Sequence, residues 1–338
     1  MSRVLVTGGT GFVAGWCIVQ LLDAGHEVVA TVRVPERERE VRTATGAGAD
    51  ASSRLEFATV DLSNDDRWDD AMAGCEYVLQ VASPLAVAGE EADSLISQAR
   101  DGTVRVLAAA EPAGVARVVL TSSCAAATPH SSQLSGTVDE TCWTDADEPG
   151  LAPYRRSKVL AERAAWDLVA RERCSVELTT VLPAAVFGPA LMPSSLGSLR
   201  VIAALLDGSA IAIPRLGFEV VDVRDVAAAH LLAMTAPEAA GERFIIAGEL
   251  CWFADLAEIL RAQLGPDASR VPSETLTDDA FRAFAEVSPE LATLLPLLGR
   301  DLQHSAAKAK RILGWRPRPA IETIADSGRC LMSFAATG

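Results

Sequence analysis

The chain is 338 residues long, which as a prior allows two domains or one large one. Its composition, 49% hydrophobic and 22% charged, is typical of a globular protein with a sizeable core. The formal net charge of −15 argues against broad electrostatic binding to nucleic acid or to an anionic membrane, so we expect neither as a partner.

Short apolar runs alternate with helical patterns through the front half of the chain. Strands are predicted at 3–7, 26–32, 55–60, 76–82, 116–122 and 175–182, and helices at 12–24, 66–73, 91–112 and 154–172. Residues 128–153 carry acids, Ser, Thr and Pro without a period, which predicts a long loop. The alternation is typical of βαβ units, and it predicts an α/β fold with a doubly wound, Rossmann-type parallel sheet.

The pattern changes after Pro183. Turn formers dominate 187–199, and the end of the chain reads as mainly helical. Between them we predict a helix at 199–207, a strand-like run at 211–213, a strand entering a helix over 219–234 and a strand at 243–248. The predicted domains are a first one of residues 1–186, to which 219–248 return, and a smaller, mainly helical one of residues 187–218 and 249–338.

The segment "VTGGTGFVAG", residues 6–15, places glycines between the first strand and the first helix. Gly8 and Gly11 would let the backbone approach a pyrophosphate, while the helix N-terminus supplies N–H donors and a positive dipole. Ala14 stands where a third glycine is common. The turn predicts that the first domain binds a dinucleotide, and a tight βα turn without a ligand is the alternative.

The second strand ends at Arg33 without the acidic residue that binds the ribose 2′-hydroxyl of NAD. A guanidinium there suits a 2′-phosphate, because it offers a planar, charged hydrogen-bonding fork. Arg37 adds a second cation and Glu36 opposes it. The sequence therefore favours NADP(H) over NAD, against the alternative that Arg33 is a solvated strand end.

A tyrosine and a lysine occur four residues apart in "YRRSK", in a chain with only two tyrosines and three lysines. On a helix, Tyr154 and Lys158 would share one face. A nearby ammonium lowers the pKa of a phenol and so eases proton transfer near neutral pH. The pair predicts a proton donor, with a partly exposed tyrosine at a helix start as the alternative.

The predicted strand in "RVVLTSS" ends in hydroxyl side chains, at the sheet edge where ligands gather. Ser123 there is expected to hydrogen-bond a substrate carbonyl oxygen. Thr121 and Ser122 compete for this role, and a turn cap is the structural alternative for Ser123.

Together these motifs resemble the extended short-chain dehydrogenases/reductases. The resemblance also rests on "DLSNDDRWDDAMAGCEYVLQVASPL", "LPAAVFGP" and the terminal "KAKRILGWRPRPAIETI". It is strongest over 3–235, weak over 250–300, and greatest for the dihydroflavonol reductase-like and aldehyde reductase (ketoreductase) branch. The resemblance implies Ser123, Tyr154 and Lys158 as catalytic residues.

The resemblance also implies which residues contact the cofactor. These are Thr7, Gly8, Gly11, Phe12, Val13, Arg33, Asp61, Leu62, Val81, Ala82, Ser83, Tyr154, Lys158, Pro183 and Val186. Asp61 and Leu62 would lie beside the adenine, and Pro183 and Val186 along the nicotinamide.

Apolar residues in loops that face the site are candidate substrate contacts in the smaller domain and beside it. They are Pro84, Leu85, Phe187, Met192, Leu196 and Phe218. Their character predicts an aldehyde or ketone with an aromatic or aliphatic group. Each of them equally fits a core or hinge position.

The resemblance implies an NADPH-dependent carbonyl reductase that reversibly reduces an aldehyde or ketone, with Tyr154 as proton donor. A CoA thioester is disfavoured, because the CoA-reductase signature around the tyrosine is absent. Cys124 and Ala125 follow Ser123 in place of an acid-bearing stretch, which disfavours elimination. An NAD-dependent nucleotide-sugar epimerase/dehydratase and a non-catalytic dinucleotide sensor are the alternatives.

Seven cysteines without paired ligand spacing predict reduced thiols, no metal and a cytoplasmic location. A first strand beginning by Arg3 leaves no room for a signal peptide, and no apolar run approaches the roughly 20 residues of a membrane span. The Ala-rich predicted helices at 91–112 and 154–172 could pack across a homodimer or be covered within one chain.

Overall fold

The strands in the described part of the chain form three sheets. The computed structural model describes residues 1–46, 53–84, 92–171 and 174–337. The strands are β1 (Arg3–Val6), β2 (Glu27–Val32), β3 (Leu55–Thr59), β4 (Tyr77–Gln80), β5 (Arg117–Thr121), β6 (Ser135–Val138), β7 (Glu177–Pro183), β8 (Ala185–Phe187), β9 (Gly217–Asp222), β10 (Arg243–Ile246), β11 (Glu249–Trp252) and β12 (Asp301–His304).

Helices occupy much of the remaining chain. They are α1 (Phe12–Asp23), α2 (Glu38–Ala44), α3 (Trp68–Met72), α4 (Ala92–Ala110), α5 (Pro153–Arg171), α6 (Leu199–Asp207), α7 (Val223–Thr235), α8 (Phe253–Leu264), α9 (Asp278–Val287), α10 (Pro289–Ala292), α11 (Ala307–Ile312) and α12 (Ala320–Thr337). Within the described part of the chain, none of them combines the length and apolar content that crossing a membrane requires.

The main sheet has seven strands in the order β10-β7-β5-β4-β1-β2-β3, and all neighbours run parallel. Helices α1, α7 and α11 cover one face, around Ile18, Val226 and Ala309. Helices α3, α4 and α5 cover the other, around Met72 and Val106. Burial on both faces explains why the strands are continuous apolar runs. The predicted doubly wound α/β fold is confirmed.

The order of the main sheet reverses at β1 and β4. From β1 the chain proceeds outward to β2 and β3, and from β4 it proceeds outward in the opposite direction. Such a reversal opens a crevice at the carboxyl edge of the sheet. The glycine turn follows β1 directly, so the fold places it at this crevice.

A second core lies in the C-terminal part of the protein. It packs helices α6, α8 and α12 against a small sheet of order β11-β9-β8, around Leu199, Ile202, Leu256 and Ile324. The mainly helical C-terminal region is as predicted. Within the segment 219–248, α7 packs on the main sheet and β10 joins it, while β9 pairs with β8 and β11.

Strand β6 lies in the segment predicted to be a loop, and β12 lies in the region predicted to be mainly helical. The two pair in parallel, with Ser135 opposite Asp301 and Val138 opposite His304. Three of the four residues of β6 are exposed. Neither strand has the apolar alternation that predicts a strand. Each forms through pairing with a partner that lies far away along the chain.

Candidate active site

A cleft of about 1360 Å³ lies at the carboxyl edge of the main sheet. Loops that follow β1, β2, β3, β5 and β7 form one side, and the C-terminal region forms the other. The predicted site residues on its walls are Thr7, Gly8, Gly11, Phe12, Arg33, Asp61, Leu62, Ala82, Ser83, Pro84, Ser123, Tyr154, Pro183, Val186, Leu196 and Phe218. The fold therefore brings together residues from across the first 220 positions of the sequence.

Two predicted substrate contacts are buried behind the cleft. Phe187 is 1% exposed, and its ring packs edge-on against Phe218 with centroids 6.4 Å apart. Met192 is 2% exposed, and its Cε lies 4.0 Å from where a Cβ on Gly15 would stand. In correction of the sequence prediction, the structure places both side chains in the core rather than on the cleft wall. Leu85 lies outside the described residues.

The glycine turn needs its glycine at position 8. Gly8 has a φ of +72°, and a Cβ there would lie 2.9 Å from the Cβ of Ala82. The Gly8 N–H donates to the Thr31 hydroxyl at 2.9 Å, and the Ala82 N–H donates to the Thr7 hydroxyl at 2.9 Å. The turn is thus tied to β2 and to the end of β4, and its backbone faces the cleft.

Helix α1 starts from this turn with Gly11 as its N-cap and without a side-chain cap. The N–H groups of a first helical turn have no partner inside the helix. Val13 and Val81 pack against the core behind the turn. An uncapped helix start that opens on a glycine-lined wall is a site for an anion such as a phosphate.

The end of β2 presents a free cation to the cleft. Arg33 is exposed, and its side chain forms no ion pair or hydrogen bond with any part of the chain that is described. Arg37 is engaged by Glu40 and by the Ser194 hydroxyl, the latter at 3.1 Å. A backbone hydrogen bond from Ser63, with a smaller contribution from Arg33, lowers the pKa of Asp61 at the end of β3.

Tyr154 and Lys158 lie one turn apart at the start of α5, which begins with a proline, as helices often do. The Lys158 Nζ is 5.8 Å from the centroid of the Tyr154 ring. Tyr154 lies on the cleft wall with 36% of its surface exposed, whereas Lys158 is buried behind it. The described residues offer the ammonium no hydrogen-bond or ion-pair partner, so its charge is directed at the ring.

The two groups have shifted pKa values. Burial lowers the pKa of Lys158 to about 8, and the carboxylate of Glu162 acts in the opposite direction. Desolvation by the surrounding protein raises the pKa of Tyr154, while Ser123 lowers it. The expected lowering of the phenol pKa by the ammonium is therefore not seen here, because desolvation of the phenol dominates.

The structure separates the three competing hydroxyls at the end of β5. The Thr121 hydroxyl is hydrogen-bonded to Nε2 of His230 at 2.6 Å. The buried Ser122 hydroxyl donates a hydrogen bond to the Glu162 carboxylate at 2.6 Å. Ser123 lines the cleft, and its oxygen accepts a hydrogen bond from the Ala125 N–H at 3.2 Å. A hydroxyl that accepts in this way keeps its own hydrogen to donate, so capping and carbonyl binding are compatible at Ser123.

A buried carboxylate anchors α5 to the sheet. Glu162 is 1% exposed and accepts hydrogen bonds from Ser122 at 2.6 Å, Thr180 at 2.8 Å and Arg243 at 2.8 Å. The Arg243 guanidinium also stacks on Trp143 at 3.6 Å from the ring centroid. Sequence reasoning missed Glu162, although it stands four residues after Lys158 and eight after Tyr154, the spacing of one helix face.

Charged and polar residues that sequence reasoning passed over line the cleft beyond β5. They include Arg155, Arg300, Glu219 and His304. Both oxygens of Glu219 accept from His304, one from its backbone N–H and one from Nδ1. The only sequence signal for this group is Arg155, which directly follows Tyr154.

Known proteins similar to this chain include reductases. A model described as the NAD dependent epimerase/dehydratase family matches residues 4–247. Cinnamoyl-CoA reductase 1 of Arabidopsis thaliana is 35% identical over 269 residues, which are 79% of this chain and 76% of that protein. The ketoreductase azaE of Aspergillus niger is 35% identical over 305 residues, 82% and 87% of the two chains.

Solved structures also resemble this chain over nearly its whole length. Yeast methylglyoxal/isovaleraldehyde reductase Gre2, solved in complex with NADPH, aligns with a TM-score of 0.84 and 26% identity over 99% of both chains. The predicted resemblance is confirmed, and the relatives extend it to cinnamoyl-CoA reductases. The cleft with its glycine turn and Tyr–Lys pair, together with a family match over most of the chain, shows that this protein belongs to the NAD dependent epimerase/dehydratase family, the extended short-chain dehydrogenases/reductases.

Proposed function

We propose that the protein is an NADP-dependent oxidoreductase that reduces the carbonyl group of an aldehyde or ketone to an alcohol, reversibly. The observation that carries this proposal is the meeting of Ser123 and Tyr154 on one cleft wall, with the Lys158 ammonium 5.8 Å from the phenol ring. Relatives named as reductases support the same reaction class.

The cleft fits a nicotinamide dinucleotide phosphate. The backbone at Gly8 lines the cleft at a position where a Cβ would collide with Ala82. The start of α1, which has no side-chain cap, lies beside it. Arg33 offers a cation without a partner among the described residues, at the position that reads the adenosine ribose. NADPH bound in the yeast neighbour supports this cofactor. When bound, NADPH supplies the hydride that reduces a carbonyl carbon.

The side chains of this chain would handle the carbonyl oxygen. Ser123 donates a hydrogen bond to the oxygen and stabilises the negative charge that grows there. Tyr154 gives its proton to the same oxygen. Lys158, whose pKa of about 8 keeps it mostly protonated at neutral pH, stabilises the phenolate that remains. In the oxidation direction the phenolate takes the proton back.

The walls around these groups favour an apolar substrate body. Pro84, which follows β4, lines the cleft together with four residues of the C-terminal region, Leu196, Phe218, Leu250 and Leu297. Apolar walls with a few directed polar groups are typical of small-molecule sites. We therefore assign the substrate an aromatic or aliphatic group next to its carbonyl.

A carbonyl panel followed by NADPH and NADH absorbance tests the proposal, with Tyr154→Phe as the decisive variant. We expect turnover of the variant to fall by roughly 10²-fold or more with cofactor affinity nearly unchanged, because only the proton donor is removed. Tyr77→Phe is the matched control, since Tyr77 lies in β4 and not on the cleft wall. Full turnover by Tyr154→Phe would remove the assigned acid.

The alternatives predict different results in the same panel. Protein that purifies with bound NAD and converts a nucleotide sugar would be an epimerase or dehydratase, as the name of the matched family allows. Reduction of a CoA thioester would align the chain with its cinnamoyl-CoA reductase relatives. Binding of NADPH without turnover of any carbonyl compound would indicate a dinucleotide sensor.

A further inference from the structure

Two arginines face the cleft on the side where the substrate would lie. Arg155 follows Tyr154 in the first turn of α5, and Arg300 directly precedes β12. Both lie on the same stretch of wall as Ser123, beyond β5 and away from Arg33. We call Arg155 and Arg300 the arginine pair.

Arg300 is held rigidly without losing its charge. It is 5% exposed, and its guanidinium donates to the carbonyl oxygens of Gln133 at 2.9 Å, Pro129 at 3.1 Å and His130 at 3.1 Å. Carbonyl oxygens satisfy N–H donors but carry no counter-charge. A buried guanidinium fixed in this way is preorganised to receive an anion.

Arg155 has no such partners. Its side chain makes no hydrogen bond to the part of the chain that is described, and its Nη2 is buried with no acceptor. Burial, and then the neighbouring charge of Arg300, lowers the pKa of Arg155. Buried guanidinium donors are normally satisfied, so this nitrogen is a candidate donor to a ligand.

The described carboxylates near the arginine pair are held by other groups. Glu148 is the carboxylate whose charge acts on both members of the arginine pair. It accepts from the Ser131 N–H at 2.9 Å and lies 3.7 Å from the ring of His130, but it forms no ion pair with either arginine. Glu219, a second carboxylate that lines the cleft, accepts hydrogen bonds from His304 through both oxygens. Among the described residues, no carboxylate therefore forms an ion pair with either member of the arginine pair.

We propose that the arginine pair binds a carboxylate of the substrate, so that the carbonyl compound reduced at Tyr154 is an oxo acid. The inference rests on the proposed function and adds a substrate class to it. A carboxylate brings a negative charge to the two cations, and its two oxygens match the planar donors of a guanidinium. The apolar wall would hold the carbon chain between the two functional groups.

Kinetics with matched substrates tests the arginine pair. Succinic semialdehyde and para-formylbenzoate are compared with their methyl esters in the wild type, Arg155→Leu and Arg155→Lys. We expect the wild type to prefer the acid, and Arg155→Leu to lower the acid-to-ester ratio of kcat/KM by about 10- to 100-fold, mainly through KM. Arg155→Lys should fall between the two, because it keeps the charge and loses the fork.

Arg156→Leu is the matched control. Arg156 is the next residue, is exposed, and lies 3.5 Å from Asp147 at the surface, so its removal should change neither substrate's kinetics. Thermal unfolding of each variant checks that it is folded. Turnover of the esters with no preference for the acids, or an equal loss for both in Arg155→Leu, would overturn the inference and leave the proposed function standing.

A binding experiment separates the inference from the proposed function if no carbonyl compound is reduced. Benzoate, methyl benzoate and phenyl phosphate are titrated into the NADPH-loaded protein by calorimetry. We expect benzoate to bind at least tenfold more tightly than its ester, and to lose that advantage in Arg155→Leu. Equal affinities for benzoate and its ester would overturn the inference, and much tighter binding of phenyl phosphate would reassign the pair to a phosphorylated ligand.

Discussion

Lys158 is buried behind the cleft wall without a hydrogen-bond partner among the described residues, and this isolation sets its pKa. Burial disfavours the charged form and lowers the pKa to about 8, against the opposing charge of Glu162. The proposed chemistry requires the ammonium, because its charge would stabilise the phenolate. The loss of that charge must therefore occur on the alkaline side of neutrality.

The pH dependence of reduction follows from this sign. We expect kcat/KM for a carbonyl substrate to be level below pH 8 and to fall as the pH rises through about 8, where Lys158 loses its proton. Lys158→Arg keeps its charge and should move the fall to higher pH. Labelling the three lysines for NMR gives the same pKa directly. A Lys158 signal that titrates near 10.5, the ordinary lysine value, would contradict the prediction.

Arg33 makes a separate prediction about cofactor choice. Arg33→Ala should lower the NADPH-to-NADH ratio of kcat/KM by about tenfold or more, because a charge-assisted fork to the 2′-phosphate is lost. Arg37→Ala is the matched control, since Arg37 is already bound by Glu40 and Ser194. An unchanged ratio in Arg33→Ala would show that the 2′-phosphate is read elsewhere.

Gly8 and Gly25 both have a positive φ, so alanine substitutions at the two positions separate the effect of backbone strain from that of a steric clash with Ala82. Gly8→Ala meets both a φ of +72° and a contact of 2.9 Å with Ala82, whereas Gly25→Ala meets a φ of +87° in open space. Each substitution should cost about 1 kcal/mol of stability through backbone strain. In addition, Gly8→Ala should weaken NADPH binding at least about tenfold, because the turn must shift away from the phosphate position. Equal affinity of the two variants, by fluorescence titration, would argue against the phosphate cradle.

At the scale of elements, α5 carries the proposed catalytic pair, and a buried carboxylate attaches this helix to the main sheet. Glu162 ties the helix to β5 through Ser122 and to β7 and β10 through Thr180 and Arg243. Tyr154 and Lys158 stand on the same helix face, so their positions depend on this attachment. This attachment therefore fixes where Tyr154 and Lys158 lie relative to the end of β5.

Breaking that anchor should be costly. Glu162→Gln leaves the buried Arg243 guanidinium without its counter-charge, so we expect the free energy of unfolding to fall by about 3–5 kcal/mol. Asp167→Asn is the matched control, because Asp167 pairs with Arg171 at 3.8 Å on the same helix and both side chains are exposed. Its loss should be under about 1 kcal/mol in urea unfolding. Similar losses in the two variants would show that Glu162 does not anchor α5.

At the scale of the whole molecule, the cleft exists because the C-terminal region lies against the carboxyl edge of the main sheet. Its walls include Phe218 of β9 and Leu250 of β11, and Leu302 of β12. Ligands of open α/β sheets usually bind at the carboxyl edge of the strands. The C-terminal region closes the other side of the cleft here, so that a ligand at this edge would be enclosed. The predicted domain boundaries stay predictions. The two alternatives for the oligomeric state, a homodimer or a single chain, stay open as well, and light scattering of the purified protein distinguishes them.

The sequence alone determined the main sheet, the glycine turn, the cation at Arg33 and the Tyr–Lys pair, because each is a local pattern of spacing and hydropathy. Only the tertiary structure decided which hydroxyl of β5 faces the cleft, that Phe187 and Met192 are core residues, and that β6 pairs with β12. It also decided the anchor at Glu162, whose partner Arg243 is 81 residues away. Contacts between distant segments leave no periodic trace in the chain, so folding must bring them together before their chemistry can be read.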